Sequence, residues 1–276
     1  MNEKIIQLSG LLAAFCSAAW IACSCDELVS HRRAGIMEGA PNFRDLGGYR
    51  SGNGKQTTWG KVFRAQALDR LSDRDVEQMR ELGIKTVIDF RDDVEVGKAP
   101  SRLPQGVRTV RLPIAVGSHA SEAMRQMIRP AVFDSLQCVR FMEEANRLFV
   151  TEFAAQYRAF FEVLLEAENY PVVFHCTAGK DRTGFAAAML LGALDVDWNT
   201  VMEDYMLTND CLQLPPDVLP EQDSSALRLI WRVQPSYLNA ARDEIVARYG
   251  SIDNYLQQEL LVEKAERERL KFYLLE

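Results

Sequence analysis

The chain has 276 residues, of which 47% are apolar and 26% are charged, so it is long enough for one sizeable hydrophobic core. This composition excludes a disordered or collagen-like protein. The formal net charge of -7 leaves no basic stripe to neutralise a phosphate backbone, which excludes nucleic acid as a main partner.

Residues 1–25 are predicted to be an export signal. A short start containing Lys4 precedes a mostly apolar stretch from Leu8 to Ala22, and small residues and cysteines follow. A buried helix or a single membrane anchor are the alternatives, but the stretch contains polar residues and is short for a full span. Its ending, "WIAC", resembles a bacterial lipoprotein processing site, in which an acylated Cys23 would attach the protein to a membrane. We therefore expect an exported protein that is periplasmic, membrane-anchored or secreted.

Residues 26–276 are predicted to form one domain, because no repeat, low-complexity segment or long linker interrupts the sequence from residue 38 onward. One helix is expected at 71–83, with Ser72 as its N-cap and Gly83 as its stop. A second helix is expected at 183–194. Strands are expected at 61–65, 84–90, 107–114 and 171–176.

Residues 118–168 are strongly helical in pattern and are broken once, at Pro130. The alternation of strands and helices elsewhere predicts an α/β fold, with a central, mostly parallel sheet flanked by helices. The 118–168 stretch is then an insertion long enough to include a lid. We expect such a lid to shield a reactive group from oxidation.

The stretch "VVFHCTAGKDRTGF" (172–185) places Cys176 and Arg182 six positions apart, between a buried strand and a helix. Backbone amides of a loop at a helix N-terminus form an anion site, which favours a cysteine thiolate, the form that attacks. Arg182 can offer its guanidinium to phosphate oxygens. Gly179 permits a tight turn. The predicted phosphate-binding residues are Thr177, Ala178, Gly179, Lys180, Asp181 and Arg182.

A nucleotide-binding loop is excluded, although "AGKDRTG" contains Gly-Lys. The residue five before Gly179 is Phe174 rather than glycine, and Asp181 occupies the place of the serine or threonine that would hold magnesium. Cys138 and Cys211 are interpreted as inert, since a lone buried cysteine is usually core.

"HCTAGKDRTG" resembles the cysteine-plus-arginine loop of protein tyrosine phosphatases, and its Lys-Asp pair is similar to a bacterial atypical group that acts on phosphoproteins and phosphoinositides. The blocks "NFRDLGGY", "DFRDDVEV", "DYMLTND", "PSYLNAA" and "YGSIDNYL" resemble the group's other motifs, in the same order, from about residue 38 to the end. The resemblance implies a tyrosine phosphatase-like fold with no cofactor and no metal. It also implies that Cys176 is the nucleophile of a cysteinyl-phosphate intermediate and that Arg182 binds the transferred group.

The same resemblance implies supporting roles for neighbours of the nucleophile. His175 is expected to help set the thiolate through hydrogen bonds, and Thr183 to donate its hydroxyl to the sulfur. Lys180 is expected to add positive charge at the mouth of the site.

The general acid is left open by the sequence. Better-known members of the group use an aspartate in the loop after the "LP" strand end, but "LPIAVGSHASEAM" contains none. Asp181 is the first choice because it lies within the catalytic loop. The other candidates are Asp89, Asp93, His119 and Glu122. Asp89 is equally well interpreted as a structural ion pair with Arg91. Arg44 is interpreted with equal weight as a brace for the site or as a residue that only holds the amino-terminal loop.

The sequence therefore predicts a cysteine-dependent phosphatase that acts on phosphotyrosine and extends to phosphoserine and phosphothreonine. A phosphoinositide phosphatase is one alternative, favoured by Lys180. A binding module that captures phosphorylated ligands without turnover is another, supported by the missing loop aspartate. A rhodanese-like sulfur carrier is disfavoured by the Arg182-Thr183 pair and the flanking blocks.

Overall fold

The computed structural model describes residues 37–116, 135–212 and 229–276. The predicted export signal, the break at Pro130 and the first part of the helical insertion lie outside these residues. Within the described ranges, every helix is too short or too polar to cross a membrane.

A single sheet of five strands is present in the described part of the chain, in the order β1-β2-β5-β3-β4. Only β1 and β2 pair antiparallel, and the other neighbours are parallel. The prediction of a mostly parallel sheet is confirmed. The strands are β1 (Arg44–Asp45), β2 (Val62–Ala65), β3 (Thr86–Asp89), β4 (Arg108–Arg111) and β5 (Val172–His175).

Each of the four predicted strands is found, although the observed strands are shorter at their ends. The short strand β1 lies in "NFRDLGGY", a stretch whose glycines had indicated only turns. Two residues are too few to show the alternation of apolar and polar side chains that predicts a strand, so β1 is recognisable only from its pairing with β2.

Helices cover both faces of the sheet. They are α1 (Asp73–Glu81), α2 (Asp93–Lys98), α3 (Ser135–Thr151), α4 (Ala154–Leu164), α5 (Asp181–Ala193), α6 (Trp198–Met206), α7 (Thr208–Cys211), α8 (Pro235–Tyr249), α9 (Ile252–Gln258) and α10 (Lys264–Leu274). A 3₁₀ turn at Ala167–Asn169 precedes β5.

Alternate residues of the central strands belong to two different cores. In β5, Val172 and Phe174 pack into the larger core with α3, α4 and α5, whereas Val173 packs into the smaller core with Met79 of α1. Side chains of a strand alternate between its two faces, so a strand covered on both sides is apolar throughout. The buried run "VVF" thus reflects a two-sided sheet.

Capping residues define the starts of two helices. Ser72 caps α1 as predicted, and it forms a capping box with Asp75. Asp92 caps α2 and forms a capping box with Glu95. Helix α2 was not predicted from the sequence, because its six residues are too few for a helical period to be read.

Helix α5 begins at Asp181, two residues before the predicted start at 183, and it is largely buried. The loop 176–180 joins the end of β5 to this helix. Because β2, β5 and β3 are parallel, their carboxyl ends lie at one edge of the sheet, where α/β proteins form their ligand crevices.

Candidate active site

The loop 176–180 curls tightly after β5. Cys176 is 2% exposed, and its Sγ accepts a hydrogen bond from the backbone N–H of Gly179 at 3.2 Å. Gly179 has φ +67°, and a Cβ there would lie 2.3 Å from the Ala65 carbonyl oxygen. Only glycine satisfies both the left-handed backbone and this contact with β2.

Two buried side chains hold the loop carbonyls. The Asn42 Nδ2 donates to the carbonyls of Ala178, at 2.9 Å, and Gly179, at 3.2 Å. The Arg64 Nη2 donates to the Gly179 carbonyl at 2.8 Å. The loop conformation is therefore stabilised by residues more than a hundred positions earlier in the chain.

A buried charge cluster orients Arg64. The carboxylate of Asp204 on α6 accepts from Arg64 Nη1 at 2.5 Å, from Arg44 Nε at 3.0 Å and from the Tyr49 hydroxyl at 2.9 Å. Burial raises the pKa of Asp204, but the two guanidinium groups outweigh burial and hold it below its ordinary value. Arg44 also donates to the Asn42 side chain. Arg44 thus braces the catalytic loop through Asn42 and Asp204.

Arg182 lies beside the loop in a bidentate ion pair with Glu95 of α2. Its Nη1 and Nη2 each lie 2.7 Å from a carboxylate oxygen. The same carboxylate accepts from the Thr177 hydroxyl and, at 2.9 Å, from the Asp92 N–H. Burial opposes ionisation, but the hydrogen bonds and charge of Arg182 lower the pKa of Glu95 to about 2. Glu95 therefore fixes the arginine that the sequence predicted to bind phosphate.

His175 and Thr183, which were expected to support Cys176, are both buried. His175 Nδ1 lies 3.0 Å from the backbone carbonyl of Cys176, so Nδ1 carries a proton and donates to that oxygen, and burial lowers the pKa of this histidine. His175 thus positions the backbone of Cys176 rather than bonding its sulfur. The Thr183 hydroxyl is buried without a hydrogen bond, so the expected bond to the sulfur is not formed in this structure.

Asp181, the first choice for the general acid, lines the cavity beside the catalytic loop. Its Oδ2 lies 3.2 Å from Lys180 Nζ, and its Oδ1 accepts from the Tyr205 hydroxyl at 3.4 Å. The carboxyl group is thereby held at the first turn of α5, within the site.

The other predicted acids are placed elsewhere or not described. Asp89 is buried in an ion pair with Arg91, with two contacts of 3.0 and 2.8 Å, which supports its structural reading. The Asp93 carboxylate is 95% exposed. His119 and Glu122 lie outside the described residues. Of the three candidate aspartates, the structure brings Asp181 to the cavity.

Lys180 lines the cavity beside the loop, but its side chain is largely buried. Its side chain is only 7% exposed, and its ammonium donates to the carbonyls of Ile230 and, at 3.3 Å, Arg232. The ammonium is thus bonded to the protein backbone while the residue lines the cavity, and the presentation of its charge at the mouth of the site stays a prediction.

A cavity of about 280 Å³ opens beside the loop. One end is polar and includes Asp181 and Arg182, whereas the walls are apolar and include Ile114, Phe141 and Phe149. Helix α3, which lies within the predicted 118–168 stretch, thus forms a wall of the cavity. Such a cavity suits a ligand with an anionic end and a flat apolar body.

Sequence reasoning missed Glu95, Asn42, Arg64 and Asp204 as site residues. The Asp92-x-x-Glu95 spacing is a capping-box signature that could have predicted α2 and placed Glu95 after β3, at the carboxyl edge of the sheet. Asn42 and Asp204 each begin a block that carries the family resemblance, "NFRDLGGY" and "DYMLTND", whereas Arg64 carries no local signal. In the described ranges, no cluster of three or more His, Cys, Asp or Glu residues is arranged to hold a metal ion.

Comparisons with known proteins agree with this geometry. A model of the tyrosine phosphatase family matches residues 36–276. The triple specificity protein phosphatase PtpB of Mycobacterium tuberculosis is 30% identical over 257 residues, covering 80% of this chain and 92% of the relative. A protein of Cupriavidus necator with a provisional tyrosine-protein phosphatase name is 31% identical over 234 residues, covering 82% and 83%.

The chain therefore belongs to the tyrosine phosphatase family, and its enzyme class is protein-tyrosine phosphatase. Among solved structures, TpbA of P. aeruginosa in complex with pTyr is similar at 19% identity, with a TM-score of 0.28, over 64% of this chain and 89% of that one.

Proposed function

We propose that this protein hydrolyses phosphotyrosine through a cysteinyl-phosphate intermediate. The observation that carries the proposal is the placement of Cys176 at the base of a loop whose Gly179 amide bonds the sulfur, with Arg182 fixed beside it. A thiolate at a helix N-terminus is a suitable nucleophile, and the same amides stabilise the anionic phosphoryl group.

The reaction takes two steps. The Cys176 sulfur forms a bond to phosphorus as the phosphorus–oxygen bond to the phenol breaks, and Asp181 gives its proton to the leaving oxygen. Water then attacks the cysteinyl-phosphate, Asp181 takes a proton from that water, and inorganic phosphate leaves with the thiolate restored. Arg182 stabilises the charge on the transferred oxygens in both steps.

Phosphotyrosine fits the cavity because its ring can lie between apolar walls while its phosphate reaches the loop. We extend the proposal to phosphoserine and phosphothreonine, which the name of the triple-specificity relative supports. Phosphoinositides remain the alternative substrate class, but the buried Lys180 ammonium gives that class no specific support. Turnover is favoured over binding alone, because Asp181 supplies an acid despite the missing loop aspartate.

The test is phosphate release from a phosphotyrosine peptide in EDTA. We expect Cys176→Ser to abolish turnover while peptide binding remains. Asp181→Asn should depress turnover of the peptide more than that of p-nitrophenyl phosphate, whose leaving group needs less protonation. Wild-type protein that binds the peptide and releases no phosphate would overturn the proposal and favour a binding module.

We further propose that the protein is exported and anchored through an acylated Cys23. The support is the sequence of residues 1–25. Cys23→Ser should abolish incorporation of labelled palmitate and move the protein from the membrane fraction to the soluble one. Unchanged labelling would exclude acylation at this cysteine.

We also propose that the helical stretch 118–168 shields the thiolate from oxidation. The part of α3 that lines the cavity supports this proposal. Deletion of residues 118–135 should accelerate inactivation by peroxide. A folded deletion variant with the inactivation rate of the wild type would contradict it.

A further inference from the structure

The ammonium of Lys180 is bonded to the backbone of a distant segment of the chain. It donates to the carbonyls of Ile230 and, at 3.3 Å, Arg232, and it lies 3.2 Å from Asp181 Oδ2. It also lies 5.9 Å from the centre of the Tyr237 ring. A lysine ammonium has three donors, and two of them are used in these hydrogen bonds to the backbone, while Asp181 adds an ion pair.

The segment that Lys180 contacts, residues 229–233, contributes Ile230 to the substrate cavity. Other side chains hold the same segment. The Tyr237 hydroxyl donates to the Leu229 carbonyl at 2.9 Å. The Asn209 side chain accepts from the Val233 N–H and donates to the Val233 carbonyl, both at 2.9 Å.

The backbone of the 229–233 segment is therefore bonded by side chains from three separate places: the catalytic loop, α7 and α8. Buried backbone polar groups outside regular structure need such partners. Lys180 differs from the other two contacts because it joins this wall directly to the loop that carries Cys176. The lysine thereby couples the position of the wall to that of the nucleophile.

We propose that Lys180 is a positioning residue that fixes the 229–233 segment as a wall of the substrate cavity, and so determines which phosphate esters fit. The expected effect on substrates rests on the proposed phosphatase function, but the support that Lys180 gives to residues 229–233 does not depend on catalysis. It differs from the expectation that the lysine binds a second phosphate of an acidic headgroup, since it assigns the ammonium to the backbone carbonyls of Ile230 and Arg232.

The structural part is tested by amide hydrogen exchange over residues 229–233 in the full chain. Lys180→Met keeps the length of the side chain and removes its donors, so exchange in this segment should accelerate roughly tenfold. Lys180→Arg, which can still donate to the carbonyls, should restore most of the protection. Tyr237→Phe removes one independent contact with the same segment and should also accelerate exchange there.

The functional part is tested by steady-state kinetics with the same variants. Lys180→Met and Tyr237→Phe should both raise KM for a phosphotyrosine peptide, by roughly tenfold, with a smaller change in kcat, and Lys180→Arg should restore KM. If Lys180 instead binds substrate phosphate, Lys180→Met would impair only substrates with a second phosphate, such as a soluble inositol bisphosphate, and Tyr237→Phe would behave as wild type.

Unchanged exchange over residues 229–233 in folded Lys180→Met would overturn the inference, whatever the kinetics show. If Lys180→Met does not fold, Lys180→Gln, whose shorter side chain cannot reach both carbonyls, decides through the same two readouts. A wild-type protein that releases no phosphate would refute the proposed function alone, because the exchange experiment needs no turnover.

Discussion

Replacing Glu95 by Gln removes the carboxylate that holds Arg182. Glu95 accepts two bonds of 2.7 Å from the guanidinium, together with bonds from the Thr177 hydroxyl and the Asp92 N–H. Glutamine has nearly the same shape, but its single amide oxygen can accept from only one arm of the guanidinium, and its NH₂ then faces the other arm. The variant therefore loses at least one charge-assisted hydrogen bond, which is worth about 2 kcal/mol.

If this bond orients Arg182 in the transition state, the loss corresponds to a decrease of roughly 30-fold in kcat/KM. The assay is hydrolysis of p-nitrophenyl phosphate and of a phosphotyrosine peptide. Asp93→Asn is the matched control, because it removes an equal charge from the same helix at an exposed position. Glu95→Gln with the kcat/KM of this control, or a higher one, would refute the reasoning, since the carboxylate would then not position the arginine.

Gly179→Ala should lower the free energy of unfolding in urea by about 3 kcal/mol, because the new side chain would meet a left-handed backbone and overlap the Ala65 carbonyl. Gly97→Ala should have no such effect, because the space around its Cβ is open. Equal effects of the two would be inconsistent with this argument. The free energy of unfolding should decrease as pH falls from about 4.5 toward about 2. The pKa of Glu95 lies below its ordinary value in the folded protein, so protonation removes a stabilising ionised form. The pKa of the buried Asp204 is also lowered and acts in the same direction. A flat unfolding free energy across that range would contradict these ion pairs. Ser72→Ala should cost about 1 kcal/mol with kcat/KM unchanged, because the cap of α1 makes no contact with the site.

Local patterns in the sequence predicted most of the elements that carry the chemistry. The apolar run before Cys176 indicated a buried strand, and Ser72 indicated the start of α1, because strands and helix caps leave short-range signatures. The spacing of Cys176 and Arg182, on either side of a glycine, predicted an anion-binding loop. The elements that were missed, β1 and α2, are short, and a period cannot be read from two or six residues.

The supporting contacts were decided by tertiary structure alone. Glu95 and Arg182 are 87 positions apart, and Arg44 and Asp204 are 160 apart. The contacts of the Lys180 ammonium have the same origin, since the two carbonyls that accept its hydrogen bonds lie about 50 residues later in the chain. The sequence by itself indicated the loop that carries Cys176 and Arg182 and determined the class of fold, because these depend on neighbours along the chain. The orientation of the arginine, the support of the loop and the shape of the cavity depend on which distant segments the sheet brings together, and no local pattern encodes that.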